Sequence, residues 1–156
     1  MKKGLLLTTI LCGLLLFSGC GNKEQKLTCT ISKDDVATGY KMNSNYEVTA
    51  KGNKVTQVKT TEVVESESDE VLEYFKTYIE DSYTKMDEAY GGYDFKATIK
   101  DQKLTVDTTI DYTVLDLDKL VKADSTMKQF VDKNNNLTFD GIKKLYEALG
   151  ATCKTK

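Results

Sequence analysis

The feature that most constrains the fold is a pair of alternating segments between Tyr93 and Val114. Apolar residues alternate in both, with Thr108 as the one exception, and this period predicts β-strands with one buried face. The apolar positions are Tyr93, Phe95, Ala97, Ile99, Leu104, Val106, Ile110, Tyr112 and Val114. The positions between those of the second segment are Thr105, Asp107, Thr109, Asp111 and Thr113. With a hairpin turn at residues 100–103, this pattern predicts an antiparallel sheet that helices cover on one face only.

Three more strands are predicted before this pair. Leu27–Ile31 alternates and is rich in β-forming residues. Tyr40–Ala50 has its apolar residues at even positions, and Asn43–Asn45 is where a bulge or turn would interrupt it. Lys51–Asn53 has the composition of a tight hairpin turn, so Lys54–Val64 is expected to return as the third strand.

The clearest helix is predicted for residues 69–90, capped by Ser66 or Ser68 and ended by Gly91-Gly92. At helical spacing one side collects Val71, Leu72, Phe75, Tyr78, Ile79, Ser82, Met86 and Ala89. The edges of this stripe carry Tyr74, Tyr83 and Tyr90. A phenol at such an edge can bury its ring and expose its hydroxyl.

Further helices are predicted for Asp116–Ala123, for Ser125–Val131 and after the N-cap Thr138. The tail Ala151–Lys154 is expected to run beside the first strand. The predicted fold class is therefore α+β. It is an antiparallel sheet of about five strands, with one face covered by a long helix and the C-terminal helices.

The N-terminus has the parts of a secretory signal peptide. Lys2 and Lys3 precede an uncharged, mostly apolar run, Gly4–Phe17, and the small residues Ser18-Gly19 come before Cys20. The run is shorter than the ~20 residues that cross a bilayer. A small pair before a cysteine resembles the bacterial lipobox, in which the cysteine receives a diacylglyceryl group before cleavage.

We therefore expect a signal peptide at 1–19, a lipidated Cys20 with a short tether at 20–26, and a single α+β domain at 27–156. The acyl chains would hold the protein at the cell membrane, on its extracytoplasmic face. The alternative is an ordinary signal cut that leaves Cys20 as a plain thiol.

Composition excludes some functions. Without residues 1–19 the chain keeps 20 of its 22 lysines against 24 acids, a net charge of −4. Such a domain is expected to repel nucleic acids and anionic lipid surfaces. The chain has no His and no Arg. These are the commonest general base and the bidentate anion clamp, so their absence disfavours most kinds of catalysis.

After lipidation of Cys20, the cysteines of the domain are Cys29 and Cys153. An even pair outside the cytoplasm predicts a disulfide, and two unpaired buried thiols are the alternative. Without a histidine or a Cys-x-x-Cys motif, metal binding or redox catalysis at these thiols is disfavoured.

A segment near the C-terminus is similar to a calcium loop through Asp132, Asn134, Asn136 and Asp140. The calcium pattern requires Gly at the sixth place and Glu at the twelfth, where this chain has Leu137 and Lys143. The favoured interpretation is an Asn-rich turn that leads into a capped helix. No metal and no cofactor are therefore expected.

Acidic residues form one run without an intervening lysine: Glu62, Glu65, Glu67, Asp69, Glu70 and Glu73. The run could face a basic partner or a cation, but a solvated strand end and a helix N-terminus explain it equally well. Asp107 and Asp111 share one strand face, too far apart for a catalytic pair unless a neighbouring strand supplies the second acid.

Several segments resemble the YehR-like family of small bacterial lipoproteins. They are Val106–Tyr112, Leu115–Leu120, Ile142–Gly150 and Thr28–Thr30, and the likeness extends over most of the mature chain. The resemblance implies an α+β lipoprotein domain whose function is not established. It supplies no functional residues, because the matching positions belong to strands and helices.

The expected function is a non-catalytic binding or accessory domain of the cell envelope, which contacts an unknown envelope protein or small ligand. One alternative is a small carboxylate-dependent hydrolase that acts on glycans. The other is a lipoprotein that senses an ion or a ligand.

Overall fold

A computed structural model describes residues 23–156. Its strands form one six-stranded antiparallel sheet. The strands are β1 Glu24–Asp35, β2 Tyr40–Lys51, β3 Lys54–Glu65, β4 Tyr93–Lys100, β5 Lys103–Asp111 and β6 Thr152–Thr155. They lie in the order β4-β5-β3-β2-β1-β6, so β4 and β6 are the edges. The predicted α+β class and antiparallel sheet are confirmed, with a sixth strand added.

The helices are α1 Asp69–Tyr90, α2 Leu117–Ala123 and α3 Phe139–Ala148, with a 3₁₀-helix at Ser125–Gln129. The side chains of Ser68, Asp116 and Thr138 accept backbone N–H groups at the N-termini of α1, α2 and α3. These bonds satisfy donors that the first helical turn leaves without a partner. Of the two candidate caps for α1, Ser68 is therefore the one used.

The chain enters the sheet earlier than predicted. The signal peptide 1–19 and Cys20 lie outside the described residues, and β1 begins at Glu24. Residues 24–26 of the predicted tether are thus part of a strand. The reason is the length of the β2–β3 hairpin: Glu24 pairs with Lys51, and the Gln25 side chain donates to the carbonyl of Gly52 at 2.6 Å.

The sixth strand is the C-terminal tail, which runs beside β1 as predicted and places Cys153 opposite Cys29. β2 passes through Asn43–Asn45 without interruption, because β1 and β3 both pair with it there. The irregularity lies instead at Thr49 and Ala50.

Residues that pair across neighbouring strands share one face of the sheet. On the helix-covered side of the sheet, residues of the strands and of the segments that cover them form two hydrophobic clusters. The larger contains Leu27, Val48, Val58, Leu137 and Ile142 among others, and the smaller contains Val64, Leu72, Leu104 and Val106. Two sheet rows that carry polar groups lie on this same face: Tyr46–Thr60–Thr108 and Ser44–Glu62–Val106. The covered face is therefore not uniformly apolar.

Helix α1 buries a narrower stripe than its sequence predicts. Leu72 is fully buried and Tyr83 packs against the ring of Phe95 at 5.5 Å, although Tyr83 was expected at the stripe edge. Tyr78 and Met86, expected inside the stripe, are 62% and 40% exposed. The helix lies mainly over β4 and β5, at the edge of the sheet, so only one narrow side is covered.

Two apolar residues at the ends of predicted elements are also exposed. Val114 is 66% exposed, because β5 ends at Asp111 and the alternation does not continue into the following turn. Leu149 is 62% exposed, because α3 ends at Ala148. In both cases the apolar pattern extends past the element that it marks.

Candidate functional site

A cleft of about 680 Å³ opens at one end of the sheet. Three connections meet there: the β1–β2 loop, the segment from β3 into α1, and the β4–β5 turn. We call it the distal cleft, because it lies at the end of β1 opposite to the N-terminus. Its charged lining residues are Asp34, Asp35, Glu65, Glu67, Asp101, Lys41 and Lys103.

Local hydrogen bonds fix the walls of the distal cleft. Asp35 accepts the backbone N–H of Thr38 at 3.1 Å, and Gly39 closes the loop with φ +69°, a left-handed conformation that suits glycine. The hydroxyl of Ser66 donates to the carbonyl of Gly39 at 2.9 Å. This bond ties the β1–β2 loop to the residues that lead into α1.

The charges of the distal cleft are only partly compensated. Lys41 lies 3.3 Å from Asp34, and Lys103 lies 2.8 Å from Glu65. Both lysines of the lining are thus in ion pairs. The hydrogen bonds from Thr38 hold the pKa of Asp35 below its ordinary value, which keeps this carboxyl ionised.

An apolar pocket of about 350 Å³ adjoins the cleft and shares Thr38 and Tyr40 with it. Tyr40 meets Phe75 edge to face at 4.8 Å between ring centroids. The rings of Tyr74 and Tyr78 stack at 6.4 Å and are 66% and 62% exposed as residues. We call these four residues, Tyr40, Tyr74, Phe75 and Tyr78, the aromatic shelf.

A second polar group lies on the helix-covered face around Glu62. Its carboxylate accepts the hydroxyl of Tyr83 at 3.3 Å and that of Ser44 at 3.5 Å. Burial raises the pKa of Glu62, and the two hydrogen bonds oppose this shift. Tyr46 stacks on Tyr146 at 4.3 Å beside this group. Burial also raises the pKa of both phenols.

The buried side chain of Thr108 belongs to the same region. Thr108 is 3% exposed. Its hydroxyl is the one buried side-chain polar atom within residues 23–156 that has no hydrogen-bond partner.

The predicted disulfide between Cys29 and Cys153 is confirmed. It joins β1, which lies between β2 and β6, to the edge strand β6, with Cys29 completely inaccessible to solvent. The alternative of two free thiols is wrong.

The calcium-like segment forms a turn. One oxygen of Asp132 accepts the backbone N–H groups of Asn134 and Asn136 at 2.8 and 3.0 Å, and these bonds lower the pKa of its carboxyl. Asp140 lies in the first turn of α3, next to the cap Thr138. Both oxygens of the Asp132 carboxylate thus accept hydrogen bonds within the turn itself. Within residues 23–156 no three His, Cys, Asp or Glu side chains gather as a metal site.

The acidic run divides between three places. Glu62 faces the helix-covered side, whereas Glu65 and Glu67 line the distal cleft, and Asp69 and Glu70 begin α1. The sequence could indicate this acidic wall of the cleft. It gave no signal that residues 34–41 and 101–103 complete the cleft, because only the strand order brings them together.

The two aspartates of β5 make separate local hydrogen bonds. Asp107 is exposed and accepts the hydroxyl of Thr61 at 2.8 Å. Asp111 accepts the hydroxyl and the backbone N–H of Thr113, and these bonds lower the pKa of its carboxyl. Both carboxylates are held as acceptors of local hydrogen bonds.

Residues 21–156 match a family described as a domain of unknown function (DUF8824). The chain belongs to this family. The comparison with curated protein sequences gave no match. No helix within residues 23–156 has the length and apolarity that crossing a membrane requires.

Two solved structures are similar to this member of the family. The NMR structure of the YehR protein of E. coli is 16% identical, covering 85% of this chain and 90% of that chain, with a TM-score of 0.52. An NMR structure of a protein from Streptococcus pneumoniae TIGR4 is 18% identical, covering 99% and 97% of the two chains, with a TM-score of 0.46. The resemblance to YehR-like proteins is thus confirmed, and it shows a common fold.

Proposed function

We propose that the protein is a lipoprotein anchored through Cys20 on the extracytoplasmic face of the cell membrane, and that its domain binds a partner without catalysis. The observation that carries this proposal is the position of the distal cleft. β1 begins at Glu24, next to the proposed anchor, and ends at Asp35 in the lining of the cleft. A strand of this length spans about 35 Å. The cleft therefore lies at the end of the domain that is farther from the proposed anchor and hence from the membrane.

The tether and the charge distribution support this orientation. Residues 21–23 separate Cys20 from β1 and reach roughly 10–14 Å when extended. The end of the sheet beside them carries the exposed lysines Lys23, Lys26, Lys51, Lys54 and Lys156, of which Lys26 is in an ion pair with Glu24 at 3.2 Å. An acidic chain thus presents a basic end to the lipid headgroups, which attract it, while the acidic cleft is repelled.

The N-terminus of protein purified from the native membrane tests the anchor. Mass spectrometry should find that residues 1–19 are absent and that Cys20 carries acyl chains. Cys20→Ala should abolish both the lipid and the retention in the membrane fraction. Cys12→Ala, within the predicted signal peptide, is the matched control and should change neither. An intact leader, or a trimmed N-terminus without fatty acid, would contradict the proposal.

A carboxylate-dependent hydrolase is the second candidate, because a general acid needs the raised pKa that burial gives Glu62. A glycosidase also needs a second carboxyl group about 5–9.5 Å away. The groups that shift the pKa of Glu62 besides burial are the hydroxyls of Tyr83 and Ser44, not another acid. Release of glycan fragments that is lost in Glu62→Gln would support the hydrolase. Equal release by both proteins, or none, would dismiss it.

A further inference from the structure

We infer that the distal cleft and the aromatic shelf form one docking site for a positively charged peptide segment of a partner protein. Lysine or arginine side chains of the segment would lie among the acids of the cleft, and an apolar side chain would cover the shelf. This inference rests on the proposed binding function, of which it names the partner class, but it does not require the lipid anchor.

The charge of the cleft selects the sign of the ligand. Its lining holds five acids and two lysines, so the formal charge is 2 − 5 = −3. Both lysines are already in ion pairs. Glu67 and Asp101 are left without a lysine partner among the ion pairs of the described chain. Asp35 is in none of these pairs either, although the nearby charge of Lys33 contributes to lowering its pKa. Negative groups on three separate connections attract a cation and repel anions.

The aromatic shelf supplies the apolar half of the site. Tyr74 and Tyr78 are one helical turn apart on α1, with most of their surface in solvent. Val36, on the loop that closes the other side, is 88% exposed. Large exposed apolar side chains beside a cleft are typical of surfaces that a partner covers, and tyrosine is enriched among residues that dominate binding. The face of Tyr40 is already taken by a cation of this chain, since the ammonium of Lys33 lies 5.6 Å from its ring centroid.

The adjacency of the two halves favours a peptide over a small cation. The cleft and the apolar pocket share Thr38 and Tyr40, so a ligand that fills both must carry positive and apolar groups side by side. A free polyamine can meet only the acids. A peptide segment that alternates basic and apolar side chains can satisfy the acids and the shelf together.

An NMR titration of the domain with synthetic peptides tests this site. A short peptide that alternates lysine and leucine should shift the resonances of Glu67, Asp101 and Tyr74. Added salt should lower the affinity of this peptide for the domain. The same peptide with glutamate in place of lysine should not bind. Spermidine, the free-polyamine probe, should bind more weakly and leave the ring of Tyr74 unshifted.

Substitutions separate the two halves of the site. The double variant Glu67→Gln, Asp101→Asn should weaken the lysine–leucine peptide about two- to tenfold, since exposed charge pairs contribute modestly. Tyr74→Ala should weaken it by about tenfold. Glu88→Gln is the matched control, because this exposed acid lies near the opposite end of α1. It should leave the affinity unchanged.

Four results would overturn the inference. They are the absence of any shift at the cleft, equal binding of the glutamate peptide, and spermidine binding as tightly as the lysine–leucine peptide. The fourth is a concentration-dependent shift without peptide, which would assign the surface to a second copy of the chain. None of these results bears on the acyl group at Cys20, so failure of the site and failure of the anchor are distinguishable.

Discussion

Loss of the disulfide between Cys29 and Cys153 should lower the free energy of unfolding by about 5 kcal/mol. The bridged residues are 124 positions apart, so the bond closes nearly the whole domain into one loop. In the loop-entropy description, a loop of this length restricts the unfolded chain by about 5 kcal/mol at 25 °C. Small domains are stable by only about 5–15 kcal/mol. The reduced protein should therefore be marginally folded.

The consequences should be greatest at β6. This strand has four residues and pairs on one side only, with β1. Once the bond is reduced, β6 keeps its hydrogen bonds to β1 and its packing against α3, but nothing covalent restrains it. Its amide protons should then exchange with solvent earlier than those of β2 and β3, which pair on both sides.

Urea unfolding of the oxidised protein, the reduced protein and the double variant Cys29→Ala, Cys153→Ala measures the effect. The reduced wild type isolates the bond from any change in side-chain volume. Its melting temperature should fall by roughly 15–20 °C for a domain of this size. The dependence of its unfolding free energy on urea concentration should become steeper, because the unbridged unfolded chain exposes more surface. A loss below about 1 kcal/mol on reduction would refute the reasoning from the restricted unfolded chain.

Three more predictions concern packing and titration. Leu72→Ala should cost about 2–5 kcal/mol in urea unfolding, because this leucine is fully buried in the smaller cluster; a cost below about 1 kcal/mol would contradict that packing. Gly141→Ala should destabilise the domain far more than Gly150→Ala, since the carbonyl of Phe130 occupies the place of the Cβ at the first site and the second is open. At Gly150 the cost is the strain of φ +91°, about 1 kcal/mol, and equal melting temperatures of the two variants would contradict this ranking. Stability should also fall as the pH rises above 10, because a raised pKa in the folded state means that the unfolded chain loses phenolic protons first. Circular dichroism against pH checks this, and a flat profile above pH 10 would oppose it. The tyrosines whose pKa burial raises are Tyr46, Tyr83, Tyr93, Tyr112 and Tyr146.

The sheet could be predicted from sequence because alternation is a local signal. Tyr93–Lys100 and Lys103–Asp111 agree closely with the predicted hairpin, and the helix at 69–90 agrees with its caps. The boundaries of β1 could not be predicted in the same way. Its first residues, Glu24–Lys26, are polar and become a strand only because the end of β2 next to the β2–β3 hairpin turn pairs with them.

The candidate site was less predictable, because it depends on strand order. Glu62 is one of six acids in a single run, and strand alternation places it on the face opposite to Glu65 without showing which face the helices cover. Pairing with Ser44 and Val106 places Glu62 on the covered face, where burial raises its pKa. Likewise, helical periodicity cannot tell that α1 lies at the edge of the sheet. That position leaves Tyr78 in solvent and creates the aromatic shelf.

The strand register also changes the meaning of the net charge. A charge of −4 for residues 20–156 predicts repulsion from anionic lipids if it is spread evenly. The pairing instead gathers five lysines and one acid, Glu24, at the end of the sheet beside residue 23, and five acids and two lysines around the distal cleft. Each lysine close to an anionic surface contributes about 1 kcal/mol of attraction, and this falls off over a Debye length of about 8 Å. If Cys20 is anchored as proposed, a tether of three residues would hold the basic end within roughly 10–14 Å of the anchor, and the cleft would lie about 35 Å farther away. With the proposed anchor at Cys20, attraction at one end and repulsion at the other act in the same direction, so the cleft faces outward without a rigid linker.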